Sequence, residues 1–124
     1  DGIRDLVRSR GLGDVYKDSI QGACELTHEV KIDFYRVAQE ALNNIAKHSG
    51  ARQVILSLAC QPNQLSMVIK DDGLGFNPNT ISADHLGITI MRERANSIGA
   101  DLKIESQVGQ GTSIELTWRA TKRE

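Results

Sequence analysis

The sequence predicts a two-layer α/β (α+β) sandwich, with helices packed on one face of a mixed, mostly antiparallel sheet. Three observations carry that expectation. Segments 32–48 and 86–98 repeat apolar residues with the period of an amphipathic helix. Segments 53–59 with 65–70, and 102–106 with 112–118, are rich in β-branched and aliphatic residues and read as two hairpins. Helices and strands also interleave along the chain, as one sheet layer under one helix layer requires.

Taken in order, 3–10 reads as the tail of a helix closed by Gly11 and Gly13. Segment 15–21 is a candidate strand with Val15, Tyr16 and Ile20 inward, and 22–30 reads as a connection. In 32–48 (IDFYRVAQEALNNIAKH), Phe34, Val37, Ala38, Ala41, Leu42 and Ile45 recur at helical spacing and form one buried face. Asp33 stands where an N-cap is wanted, and Gly50 ends the helix. Pro62-Asn63 turns the first hairpin. In 86–98, Ile88, Met91, Ala95 and Ile98 share one face, and Gly99 stops the helix. Gly109-Gln110-Gly111 turns the last hairpin, and 119–124 reads as a frayed tail.

The 124 residues suit one domain, expected over 1–124, with residues 1–11 read as the end of a preceding helix. The start, in what reads as a helix already under way, gives the expectation of a piece of a longer protein. Net charge is −1, which argues against a nucleic-acid partner, whose binding domains are usually basic. Aromatics are only 4%, so the core must rest on Ile, Leu, Val and Ala. No apolar run approaches the roughly 18 residues of a membrane span. Cys24 and Cys60 have neither CxxC spacing nor a nearby metal-pattern His; a disulfide stays open, and buried thiols in a reducing compartment are the expectation.

Glu40, Asn44 and Lys47 follow one another at i, i+4 and i+7. At about 100° per residue they form a polar stripe flanking the apolar face. Alone, that stripe is an ordinary solvated flank. Asp71-Asp72-Gly73-Leu74-Gly75-Phe76 places a carboxylate at a strand end, then two glycines that let backbone approach a ligand. It is not a phosphate loop, because no Lys-Ser/Thr follows, and no third glycine makes it a dinucleotide fingerprint. Gly87 opens a helix whose unpaired N–H groups suit phosphate. Taken singly each has a plain structural reading; their order and spacing are informative.

Glu40-x-x-x-Asn44-x-x-Lys47-His48, then Asp71-x-Gly73-x-Gly75, then Gly87, then Gly109-x-Gly111-Thr112, resembles the GHKL (Bergerat-fold) ATPase superfamily, with its N, G1 and G2 boxes. YRVAQEALNNIAKHSGA and HLGITIMRERANSIGA resemble, more narrowly, the catalytic and ATP-binding domain of bacterial two-component sensor histidine kinases of the nitrate-sensor-like branch. The resemblance runs from about residue 12 to 118.

The resemblance implies ATP and Mg²⁺ as cofactors. Asn44 ligates Mg²⁺ through its amide oxygen, and Glu40 acts as general base or orients the reacting group. Lys47 and His48 contact phosphates. Asp71 accepts from the adenine amino group, and Thr112 supports that recognition through a bridging water. Gly73, Gly75 and Gly87 allow close backbone approach, with Leu86 and Ile88 beside Gly87. Phe76 opens a mobile lid over 76–83. Asp84-His85 replaces the glycine often found ahead of the G2 box, and the phospho-acceptor helix is not recognisable.

The implied activity is transfer of the ATP γ-phosphoryl group to a histidine on separate dimerisation helices, and from there to a response regulator. The domain is expected to be cytoplasmic and monomeric by itself, within a homodimeric parent, either membrane-anchored or not. Two alternatives stay open: an anti-sigma-factor-type serine kinase of the same fold, and a degenerate module used for protein interaction.

Overall fold

A computed structural model describes residues 2–9, 11–13, 16–22, 26–50, 53–75 and 85–120. Its elements are α1 (Gly2–Ser9), β1 (Tyr16–Gln21), α2 (His28–Asn44), a π-helical turn (Ile45–Ser49), β2 (Val54–Gln61), β3 (Gln64–Asp71), α3 (His85–Ser97), β4 (Asp101–Gln107) and β5 (Gly111–Arg119). The strands form one sheet in the order β1-β2-β3-β5-β4. β1 pairs parallel with β2, and every other neighbour is antiparallel. The predicted mixed, mostly antiparallel sheet with helices on one face is the fold observed.

Alternation along the strands decides which face the helices cover. Leu65, Met67 and Ile69 of β3, Val54 and Leu56 of β2, and Ile114 and Leu116 of β5 are buried. All six apolar residues predicted for the central helix are buried as well, Val37, Ala38, Ala41 and Leu42 completely. On α3, Met91 and Ala95 are buried, while Ile88 and Ile98 pack at the margin of the same core. Small Ala residues on both helices allow α2 and α3 to approach one another over that sheet.

Helix α2 begins earlier than its apolar period suggests. Thr27, not Asp33, is the N-cap; its hydroxyl accepts from Val30 N–H at 3.3 Å. The connection read over 22–30 therefore contains the first turn of the helix. A Thr side-chain oxygen satisfies an otherwise orphan N–H, which fixes the start there. Asp33 is instead 5% exposed, and Arg94 of α3 lies 3.5 Å from its carboxylate. This ion pair ties the two helices together. The α-helix also ends earlier than expected, at Asn44, where i→i+5 bonding takes over and runs to the left-handed Gly50.

Cys60 is half-buried and disulfide-bonded, contrary to the expected free thiol; Cys24 lies outside the described residues. Gly11 has φ +74°, and the bonds Gly11 N to Arg8 O (3.1 Å) and Leu12 N to Val7 O (2.9 Å) end α1 as foreseen.

At the other end of the sheet, Gly111 has φ +87°, and a Cβ built on it would lie 2.1 Å from the Asp71 carbonyl oxygen. Gly109, with φ +85°, faces open space. Gly109→Ala should therefore cost about 1–2 kcal/mol, the left-handed penalty alone. Gly111→Ala should cost clearly more, because strand backbone must also move. Urea denaturation of the two variants tests this, and equal losses would contradict it.

Candidate functional site

The site begins where β3 ends. Asp71 is the last residue of that strand and only 8% exposed. Its Oδ1 accepts from Gly73 N–H at 2.8 Å, so the chain turns back on its own carboxylate. Burial pushes the Asp71 pKa up; the Gly73 hydrogen bond lowers it in part, and the neighbouring Asp72 charge raises it further. Among the described residues no cation pairs with it. A buried carboxylate with unused acceptor capacity is costly unless a donor arrives.

The loop after Asp71 is pinned on both sides. Gln53 N–H donates to Asp72 Oδ1 at 2.9 Å, and Asp72 N–H donates to Gln53 O at 3.3 Å. Gly75 has φ +66°, and a Cβ there would stand 2.2 Å from the Gln107 carbonyl oxygen. Gly109 N–H donates to Leu74 O at 2.5 Å. The predicted reason for these glycines was backbone approach to a ligand. The structure adds approach of the loop to the β4–β5 turn.

Thr112 is the residue opposite Asp71 across β3 and β5, and Ser106 is opposite Thr112 across β4 and β5. The three thus stand in one row over three strands. Ser106 Oγ donates to Gly111 O at 3.1 Å and lies 2.9 Å from Thr112 Oγ1. A groove of about 660 Å³ opens at this end of the sheet, lined by Asp71, Ile104, Ser106 and Thr112 together with Lys70, Glu105 and Ser113. Sequence reasoning singled out Asp71 and Thr112 but passed over Ser106. The signal was present: Leu102, Ile104 and Ser106 share one face of β4, and the last is polar.

The helices bring together a second group of candidate residues, apart from the strand residues that line that groove. Asn44 closes α2, half-buried, and Gly87 in the first turn of α3 is buried against it. A Cβ on Gly87 would meet Asn44 Nδ2 at 3.1 Å and Oδ1 at 3.2 Å. The missing side chain thus makes room for the carboxamide as well as exposing backbone. Glu40 is half-buried one turn before Asn44. Lys47 is exposed on the π turn, so the stripe predicted at α-helical pitch does not continue unbroken to it. Ile88 packs against the core. The side chains of His48 and Leu86, and all of Phe76, the lid over 76–83 and Asp84, lie outside the described residues.

The donor set suits a hard divalent ion held mostly by its ligand. Among the described residues no three His, Cys, Asp or Glu side chains converge as a metal cage. Asn44 offers a single amide oxygen, and Mg²⁺ characteristically takes one or two protein oxygens plus phosphates and waters.

The chain is similar to several known proteins. The family model described as histidine kinase-, DNA gyrase B-, and HSP90-like ATPase matches residues 29–122. The nitrate/nitrite sensor protein NarX of Escherichia coli K12 is 36% identical over 87 residues, covering 70% of this chain and 14% of the relative. The sensor protein VraS of Staphylococcus epidermidis is 32% identical over 134 residues, covering 99% of this chain and 38% of that protein. The histidine kinase domain of the blue-light activated kinase of Erythrobacter litoralis EL346 superposes with a TM-score of 0.72 at 21% identity, over 95% of this chain and 57% of the other. The chain thus spans well under half the length of these two curated relatives.

Asp71→Asn tests the electrostatic reading of the strand end. The amide oxygen can keep the Gly73 hydrogen bond, while the buried charge is gone. Because the folded pKa is raised, native Asp71 loses stability as pH rises from the unfolded value, near 3.8, through the folded one. The variant should therefore be more stable than the native protein at pH 7, with the difference vanishing in acid. Paired urea titrations at pH 7 and near pH 3.5 measure this; a less stable variant at pH 7 would show that the carboxylate is not strained by burial.

Proposed function

The chain belongs to the histidine kinase-, DNA gyrase B-, and HSP90-like ATPase family, and from that premise we propose that it is the nucleotide-binding and catalytic part of a sensor histidine kinase. In this reading it donates the ATP γ-phosphoryl group to a histidine on separate dimerisation helices, from which a response regulator is charged. The single observation that best supports an adenine site is Asp71: a buried carboxylate at a strand end, with acceptor capacity to spare. Such a group favours a ligand with an exocyclic amino donor.

The division of labour assigns one role to the sheet end and another to the helix ends. Asp71 and Thr112 receive the base at the end of the sheet. Glycines 73, 75 and 87 keep side chains out of the backbone's approach. Asn44 holds Mg²⁺, which, when bound, neutralises charge that develops on the transferred group. Glu40, one turn away, orients the acceptor or takes its proton. Lys47 and His48 contact phosphates, with the positive charge supplied by Lys47. Leu86 and Ile88, the sequence neighbours of Gly87, belong to the same nucleotide-binding stretch.

No helix among the described residues is long and apolar enough to cross a membrane. We place the domain on the cytoplasmic side of a homodimeric parent, where ATP is available, with the isolated domain monomeric.

Calorimetric titration with a non-hydrolysable ATP analogue, with and without Mg²⁺ and with GTP as control, tests the pocket. Binding should be adenine-selective and strengthened by Mg²⁺. Asn44→Ala should remove the Mg²⁺ dependence without altering the circular dichroism; unchanged affinity in a folded variant removes Asn44 from the metal role. Acidification should weaken ATP binding before an exposed Asp would protonate, because the Asp71 pKa is raised.

Adding the dimerisation helices of a parent kinase separates kinase types. The phosphoryl group should be labile in acid, as on histidine; an acid-stable product would favour a serine kinase instead.

A further inference from the structure

Hydroxyl groups can donate or accept, so a Thr beside a base discriminates only when its proton is committed elsewhere. The row across β3, β5 and β4 contains such a commitment. Ser106 has one hydroxyl proton, and Gly111 O, which can only accept, lies 3.1 Å from its Oγ. Ser106 Oγ is also 2.9 Å from Thr112 Oγ1, and one of the two must donate to the other. Either hydroxyl could donate in that pair; both contacts are served at once when Ser106 donates to Gly111 O and its own donor is Thr112. Its lone pairs then remain as acceptors on the side of Asp71, its cross-strand neighbour.

We propose that Ser106 is a specificity-determining positioning residue, which takes the Thr112 proton so that Thr112 and Asp71 together present only acceptors to the six-position edge of a purine. Adenine offers an amino donor at that position. A six-oxo purine offers a carbonyl, whose lone pairs face the lone pairs of Thr112. The acceptor Gly111 O is fixed by a backbone that only glycine adopts without strain, φ +87° packed on the Asp71 carbonyl. The hydroxyl relay from Gly111 to Thr112 therefore has a rigid end. Ser106 does not touch the base itself; it acts through Thr112.

This inference rests on the adenine-site reading above, and ATP against ITP separates the two. The bases differ in the six-substituent and in the proton on N1. If the native domain binds neither nucleotide, the adenine-site reading fails. If it prefers ATP, the inference is then tested on variants. Ser106→Ala frees the Thr112 hydroxyl to rotate and donate to a carbonyl. The ATP-over-ITP preference should fall about tenfold, one hydrogen bond of discrimination, mainly through tighter ITP binding. Ser106→Thr, which keeps a hydroxyl on the strand, should restore the preference. A merely structural role weakens both nucleotides in proportion and leaves the ratio unchanged, and that result overturns the proposal. Should Ser106→Ala fail to fold, Ser106→Cys preserves the size of the side chain with a weak hydrogen-bonding group. Its ratio is expected to fall in the same direction, and an unchanged ratio there is equally fatal.

Discussion

One buried carboxylate constrains the whole far end of the sheet. Asp71 must leave water to stand inside the groove, and no cation among the described residues compensates it. Its partial remedy is local: the chain reverses so that Gly73 N–H can donate to it. That reversal brings the loop against the β4–β5 turn, where carbonyl oxygens of Gln107 and Asp71 occupy the space a Cβ at Gly75 or Gly111 would need. The glycines follow from the carboxylate, through the turn that it demands. A site that keeps a charge partly unsatisfied is poised to gain on binding a donor, at the expense of the free protein's stability.

The helix layer solves a different problem. Asn44 must be held at the lip of the core without being drawn into it. Complete burial of Val37, Ala38, Ala41 and Leu42 fixes the rotation of α2 on the sheet, leaving Glu40 and Asn44 at its margin. The Asp33–Arg94 pair and the Ala-lined contact then set α3 beside it, so that Gly87 abuts the Asn44 carboxamide. Arg94 is partly exposed, so the pair's contribution is modest in stability, and its value lies in fixing the relative placement of two helices.

Most of the fold was legible because period and punctuation agreed. The helical period in 32–48, the alternation in 65–70 and the turn residues Pro62-Asn63 each named an element that formed. What was misread depended on competition between local signals. Asp33 and Thr27 are both good N-caps, and only burial against Arg94 shows that Asp33 is needed elsewhere. The π turn has no periodic signature of its own, so Lys47 was assigned an α-helical position. The disulfide at Cys60 links chain positions whose proximity no spacing rule reveals. Of the site, Asp71, Asn44 and Gly87 were named from the order of motifs. Ser106 was not, because its importance lies in a cross-strand register that is invisible until β4 and β5 are paired.

On the proposed reading, one scaffold keeps base selection at the sheet end apart from phosphate chemistry at the helix ends. Residues of the sheet end, Asp71, Thr112 and Ser106, are fixed by strand pairing and by backbone that tolerates little movement. Residues of the helix ends, Asn44 and Lys47, sit where an α-helix gives way to a π turn, a form with less regular bonding. Discrimination between bases depends on fixed acceptor positions, since a group free to turn its proton accepts either purine. The proposed phosphoryl transfer brings a nucleotide to a histidine on another helix pair, and would gain from groups that can adjust to it. The rigid requirement therefore falls to the sheet and the adaptable one to the helix ends. That is why the chemistry-bearing residues cluster at terminations of elements and the specificity-bearing ones in the register between strands.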